Sequence, residues 1–311
     1  MLVILGPTAC GKTRLAVRLA QRLNGEIISA DSRQVYRGMD IGTGKDLTEY
    51  VLDGEAIPYH LIDVVAAGDA YNVSRYQHDC NAALTDIVGR NKLPILCGGT
   101  GFYIEAVLNN YEFTHLPINE PLREALATQT DDELRLLFQK LPSEYSPLAD
   151  ISTRKRLIRA IEIAQHLHSK LGLGWTHKND SRIQSFNHSI YGLSLPVETR
   201  RAYITARLRE RLQNGMVAEV TNLLNNGVAA EQLIFYGLEY KFLTQYVQGQ
   251  LDYNTLFERL NVAIHQFAKR QMTYFRKMER DGFVIHWLDA QRPMADLVEE
   301  ITTRELLRGT T

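Results

Sequence analysis

Eight residues near the start of the chain, Gly6-Pro7-Thr8-Ala9-Cys10-Gly11-Lys12-Thr13, carry the glycine, lysine and threonine spacing of a phosphate-binding P-loop. Glycines at both ends let backbone N–H groups turn inward onto phosphate oxygens. Lys12 adds a mobile positive charge, the helix that must follow adds the positive end of its dipole, and the Thr13 hydroxyl is placed to hold Mg2+. The motif does not say which phosphate compound binds; taken alone it points to ATP or GTP.

A second candidate is Asp31, within Ser29-Ala30-Asp31-Ser32-Arg33-Gln34-Val35-Tyr36. A carboxylate at the end of a strand beside a P-loop can hold Mg2+ or accept a proton from a nucleophile. A turn or N-cap aspartate fits the position equally well.

These groups need a scaffold that brings strand ends together. The apolar run 2–5 stops at glycine and reads as a buried parallel strand, and 13–23 follows with helical period. Strands are expected at 26–29, 60–65 and 93–97. The last runs into Gly98-Gly99-Thr100-Gly101, with a helix over 102–108, so strand, glycine turn and helix occur twice. From about 119 to 170 the pattern is helical only, with helices over 132–141 and 154–168. The segment 172–185 is polar and glycine-bearing and reads as a loop. A strand at 190–195 returns to the sheet. Helices follow at 198–212, 217–225, 238–246 and 255–278, then a strand at 283–288. The expected fold class is α/β, a P-loop NTPase-like core with a parallel sheet flanked by helices, plus a small all-helical insertion domain. The expected boundaries are core 1–115, insertion 116–186 and core again 187–311.

The bulk properties fit a soluble enzyme: 45% hydrophobic and 23% charged residues over 311 positions. The net charge of −1 hides an uneven distribution, because 153–211 holds 12 basic and 4 acidic residues. Such a stretch suits a surface that meets a polyanion, or a solvated helix face. Cys10, Cys80 and Cys97 have neither zinc-site nor redox-pair spacing and suit a reducing compartment. The first residues read as a strand rather than a signal peptide, and no run reaches membrane-span length, so the expected location is cytoplasmic.

Seven blocks in order resemble the tRNA dimethylallyltransferase family, also called tRNA isopentenyltransferases. They are the P-loop with its Pro7-Thr8-Ala9 insert; Asp31 through Lys45; Pro58-Tyr59-His60-Leu61-Ile62-Asp63 with Tyr71-Asn72-Val73; Gly98-Gly99-Thr100-Gly101-Phe102-Tyr103; Arg156-Leu157-Ile158-Arg159-Ala160-Ile161-Glu162; Arg207 to Val220; and Phe267-Ala268-Lys269-Arg270-Gln271-Met272-Thr273-Tyr274-Phe275-Arg276. The chain departs from the family pattern in three places. It has Asp150-Ile151-Ser152-Thr153 for His-Pro-Asn-Asp, Tyr236-Gly237-Leu238-Glu239-Tyr240 for the Ile-Gly-Tyr block, and Thr43-Gly44-Lys45 for Thr-Ala-Lys.

The resemblance implies transfer of a dimethylallyl group from dimethylallyl diphosphate to N6 of adenosine 37, beside the tRNA anticodon. Gly6 to Thr13 then cradle a diphosphate, with Mg2+ on Thr13. Asp31 is implied as general base, Arg207 as a stabiliser of the leaving diphosphate, and Thr100, in the second glycine loop, as a catalytic-site ligand for diphosphate or acceptor. Contacts to tRNA are implied for Ser32, Arg33, Gln34, Arg154, Arg156, Arg159, Lys269, Arg270 and Gln271, in a monomer that has no membrane partner. Competing expectations are an enzyme that prenylates free adenine nucleotides, an ATP-dependent small-molecule kinase and a non-catalytic RNA-binding module.

Overall fold

The computed structural model describes residues 1–143, 145–171 and 187–308. Contacts divide the chain into two units, Met1–Asn110 with Phe186–Thr311, and Tyr111–Ser185.

In the first unit, strand β1 (Leu2–Leu5) is buried at every position, as its unbroken apolar run requires of a strand covered on both faces. Helix α1 (Lys12–Arg22) buries Leu15, Ala16, Leu19 and Ala20 along one stripe. Next come β2 (Gly25–Ala30), the hairpin strands β3 (Val51–Leu52) and β4 (Glu55–Ala56), and the short β5 (Tyr59–His60). Helix α2 (Val73–Gly89), β6 (Leu93–Gly98) and α3 (Gly101–Asn109) complete the first half.

The second unit contains α4 (Glu120–Leu126), α5 (Asp131–Gln139) and α6 (Arg154–Leu171). Its core joins Leu126, Leu134 and Phe138 to Leu157, Ala160, Ile161 and Ala164 of α6, positions spaced three and four apart. Thr130 and Glu133 form a reciprocal capping box that starts α5. The buried Glu162 takes Arg123 and Arg159 together, at 2.7 and 3.0 Å.

The chain re-enters the first unit at β7 (Ser189–Ser194). Helices α7 (Val197–Gln213), α8 (Met216–Asn225), α9 (Ala230–Tyr236), α10 (Leu238–Val247) and α11 (Tyr253–Arg280) follow, then β8 (Ile285–Asp289) and α12 (Met294–Arg308).

The six-stranded sheet has the order β5-β2-β6-β1-β7-β8, and all its pairings are parallel. One face carries Leu2, Ile4, Ile27 and Ile95 against α1 and α12. The other carries Val3, Leu5, Ile28 and Leu96 against α2, α3 and α11. Leu5 and Ala30 both pair with Gly98, so β1, β6 and β2 end level and their following loops share one edge. A Cβ on Gly98 would lie 2.2 Å from the Ala30 carbonyl oxygen, so no larger residue fits between these strands.

The strand expected at 60–65 is not formed. β5 ends at His60 because Leu61 and Asp63 adopt left-handed backbone, with φ of 61° and 58°. That turn delivers the Asp63 carboxylate to the buried Lys45 ammonium, and Val65 returns only as an isolated bridge to Tyr36. Helices α2, α9 and α12 occupy stretches to which the sequence reading assigns no element. The loop expected over 172–185 lies outside the described residues.

Candidate active site

The loop after β1 is shaped by positive φ at Gly6 (154°), Ala9 (62°) and Gly11 (85°). Gly6 is irreplaceable on a second ground: a Cβ there would lie 2.7 Å from the Leu193 carbonyl oxygen of the neighbouring strand. Gly11 caps α1, so Lys12 and Thr13 occupy the first turn, whose N–H groups a helix leaves without internal acceptors. Lys12 Nζ folds back to donate to the Pro7 carbonyl at 2.8 Å, which holds its charge over the loop. The loop expected to bind at Gly6, Pro7, Thr8, Ala9, Cys10, Gly11, Lys12 and Thr13 thus turns directly into a helix N-terminus, the arrangement that suits an anion.

Asp31 follows β2 directly. Its Oδ1 accepts from the Arg33 N–H at 2.9 Å in an Asx turn, and among the described residues Oδ2 has no hydrogen-bond partner. The turn thus engages one oxygen of the carboxylate and leaves the other available. Thr100, after β6, is tied to the same turn: its Oγ1 accepts from the Ser32 N–H at 3.2 Å, and its own N–H donates to the Ala30 carbonyl. Gln34 accepts from Ser29 Oγ and donates to the Gly44 carbonyl. The Arg33 guanidinium lies over the Tyr236 ring, 5.3 Å from its centroid.

A small cleft is lined by Thr8 and Ala9 of the P-loop, by Arg207 and Arg211 of α7, and by Glu239 of α10, with Ile204 and Ile264 among its apolar walls. Arg207 therefore stands on the P-loop side of α7. It is also paired: Arg207 and Arg211 both bond the Asp46 carboxylate. Burial would raise that carboxyl, but Arg211 and Arg207 outweigh it and hold it below the usual range. Burial pushes Glu239 up to about 7, against the opposing pull of its own backbone N–H and of Arg211.

Gln271 is buried on α11, where it accepts from the Thr8 N–H at 2.8 Å and donates to the Gly99 carbonyl at 3.0 Å. Its amide is engaged inside the protein at both ends, between the two glycine loops. Lys269 and Arg270 precede it and are exposed.

In the helical unit Arg154 bonds Asp131 and the Leu126 and Ala127 carbonyls. Arg159 bonds the Leu116 and Pro117 carbonyls and Glu162. Arg156 is more than half exposed and pairs with the equally exposed Asp150, the residue that departs from the family pattern.

Asp46, Arg211 and Glu239 around the cleft, and the buried Lys45 and Glu105, are groups that the sequence by itself does not single out. The Arg211–Asp46 pair is separated by 165 residues and the Lys277–Glu105 pair by 172, and no local spacing announces such pairs. The signal for α2 was available, since Tyr76, Cys80, Leu84 and Ile87 recur at helical period.

The family model described as IPP transferase matches residues 34–278, and one described as isopentenyl transferase matches residues 1–60. The chain is 52% identical over 304 residues to tRNA dimethylallyltransferase 2 of Porphyromonas gingivalis, covering 97% of each. It is also 52% identical to tRNA dimethylallyltransferase 2 of Phocaeicola vulgatus, covering 97% of this chain and 96% of that one. The crystal structure of a tRNA isopentenylpyrophosphate transferase from Bacillus halodurans matches with a TM-score of 0.69 at 28% identity, over 99% of this chain and 95% of that one. A eukaryotic dimethylallyltransferase caught acting on tRNA matches with a TM-score of 0.74 at 26% identity, over 93% of this chain and 73% of that one.

Proposed function

This chain belongs to the IPP transferase family, and from that premise we propose that it transfers a dimethylallyl group from dimethylallyl diphosphate to N6 of adenosine 37, next to the tRNA anticodon. The products are N6-(dimethylallyl)adenosine and diphosphate. The observation that carries this is the likeness to tRNA dimethylallyltransferases over 97% of both chains, on a sheet edge that gathers the P-loop, Asp31 and Thr100.

The roles follow from charge flow. The adenine amine is a weak nucleophile because its lone pair is delocalised, and Asp31 Oδ2 is free to take its proton as the new bond forms. The departing diphosphate gains negative charge. Lys12, the first-turn N–H groups of α1 and Arg207 are the groups that receive it. Thr100 holds the Asp31 turn through Ser32.

Among the described residues no three His, Cys, Asp or Glu side chains form a metal site. The Thr13 hydroxyl suits a Mg2+ ion that takes its remaining ligands from diphosphate oxygens and water. When bound there, Mg2+ neutralises charge on the leaving group.

The target base must leave the anticodon stack to reach such a site. We assign the anticodon arm to the helical unit 116–186 through Arg156, with Arg154 and Arg159, whose guanidiniums are held by groups of the unit, bracing it, together with Ser32, Arg33 and Gln34 and the basic pair Lys269 and Arg270 in the core. Phosphate contacts then supply most of the affinity. Among the described residues no helix is long and apolar enough to cross a membrane, and we propose a cytoplasmic monomer.

The test is to incubate protein and Mg2+ with labelled dimethylallyl diphosphate and to offer tRNA or AMP. Label in tRNA is expected. Label in AMP alone, or ATP consumption without prenyl transfer, would replace this reading.

A further inference from the structure

Gln271 is the one polar side chain on an otherwise apolar buried stripe of α11, which runs Ile264, Ala268, Gln271, Phe275, Met278. A polar group in that setting is costly unless both ends of its amide are bonded. Both are. Oε1 takes the Thr8 N–H of the P-loop, and Nε2 gives to the Gly99 carbonyl of the loop after β6.

The fit is close from both sides. A Cβ on Gly99 would lie 2.2 Å from Gln271 Nε2, and a Cβ on Gly101 would lie 2.3 Å from the Tyr274 ring. One and two turns further along, Tyr274 and Lys277 bond the buried Glu105 of α3 and anchor this segment of the helix. The contact continues past Gly99. Thr100 bonds Ser32, and the Asp31 carboxylate bonds Arg33 in the same turn. A short path thus runs from the donor loop through Gln271 and Thr100 to the turn that carries the base.

We propose that Gln271 is a positioning residue for the transfer reaction. It sets the separation of the donor loop and the Asp31 turn, so that diphosphate and acceptor amine meet at bonding distance. This role rests on the reading of Asp31 and the P-loop given above. It differs from the tRNA contact that the sequence resemblance implies for Gln271, because the amide is occupied by backbone groups.

Two substitutions test it, each with kinetics on dimethylallyl diphosphate and tRNA, a tRNA binding measurement and an unfolding midpoint. Gln271→Met keeps the volume and removes both bonds. At saturating substrates its kcat is expected to fall about tenfold or more, as misalignment at a reacting centre does, with tRNA affinity held within about twofold. Gln271→Glu keeps an acceptor for Thr8 and gains a donor for Gly99 only when protonated. Its activity relative to wild type should therefore rise as pH is lowered, and this readout stands if the Met variant fails to fold. Weakened tRNA binding with wild-type kcat in Gln271→Met would overturn the proposal, as would a flat activity ratio across pH in Gln271→Glu. If wild type itself transfers no label, the assigned reaction fails instead.

Discussion

Arg207 Nη2 lies 2.5 Å from Asp46 Oδ2, and Arg211 Nη2 shares that oxygen at 3.0 Å. One carboxylate therefore fixes two guanidiniums beside the P-loop, and the pair retains a net positive charge for an incoming diphosphate. Asp46 sits at φ 45°, a left-handed conformation that asparagine tolerates, so Asp46→Asn removes the charge with little change in backbone. The two arginines then repel without a shared anion, and Arg207 loses its fixed direction. The expected result is a fall in kcat of about tenfold or more, since loss of preorganised charge is felt where charge develops. Steady-state kinetics at saturating donor check this; an unchanged kcat would leave the pair a purely structural feature.

Asp31→Asn separates the two jobs of that side chain. The amide oxygen can still accept from Arg33 and keep the turn, but it cannot take a proton from the adenine amine. Transfer should drop about 10²–10⁴-fold, the usual worth of a general base. Binding of tRNA should stay within about twofold, because affinity rests on phosphate contacts. Single-turnover rates and a filter-binding isotherm on the same preparation give both numbers. Near-normal transfer would move the base elsewhere.

The chemistry-bearing loops were readable in the sequence because their signals are local. Gly6 and Gly11 bracket a loop between an apolar run and a helical period, and Gly98 to Gly101 repeat the arrangement. What sequence alone could not supply was the partner of each polar group. Gln271 reads as one more tRNA-contacting residue until Thr8, 263 residues away, is found on its oxygen. Lys45 reads as one basic residue among 35, yet it is buried, with Asp40, Asp63 and the Tyr36 carbonyl around it. The same interaction explains the failed strand at 60–65: β-rich composition favours extension there, and the left-handed turns at Leu61 and Asp63 override it.

The helical unit divides its arginines by what they already hold. Arg159 binds two carbonyls and Glu162 inside the unit, whereas Arg156 is exposed and bonded to the acidic Asp150 and to Ser152. Arg156→Gln should weaken tRNA binding and lower the slope of log affinity against log salt by about 1, the value for one lost phosphate contact. Arg159→Gln should act mainly through stability, by about 1–3 kcal/mol, because Glu162 is buried and loses one of its two cations. Binding isotherms at several salt concentrations, set beside denaturant curves, separate the two effects. An unchanged salt slope for Arg156→Gln would show that it does not meet phosphate.

Glu239 offers a pH-dependent test of the same cleft. It lines the cleft with Arg207 and Arg211, and burial pushes its carboxyl up to about 7 from an ordinary value near 4.5. Between those two values the folded protein keeps a proton that the unfolded chain has released. Stability attributable to this group therefore declines as pH rises from about 4.5 to about 7, and levels off above. Glu239→Gln mimics the protonated form at every pH, so the variant should gain on wild type through that window and hold its gain at pH 8. Denaturant midpoints for both proteins at pH 5, 6, 7 and 8 check the prediction; parallel curves would sink it. The functional corollary concerns charge. While Glu239 is neutral, Asp46 is the carboxylate that offsets the arginine pair, and the remaining positive charge faces the P-loop. Ionised Glu239 would cancel that charge, so donor affinity in wild type should hold steady at lower pH and weaken as pH rises through about 7, once the donor's own ionisation is allowed for, and stay level in Glu239→Gln.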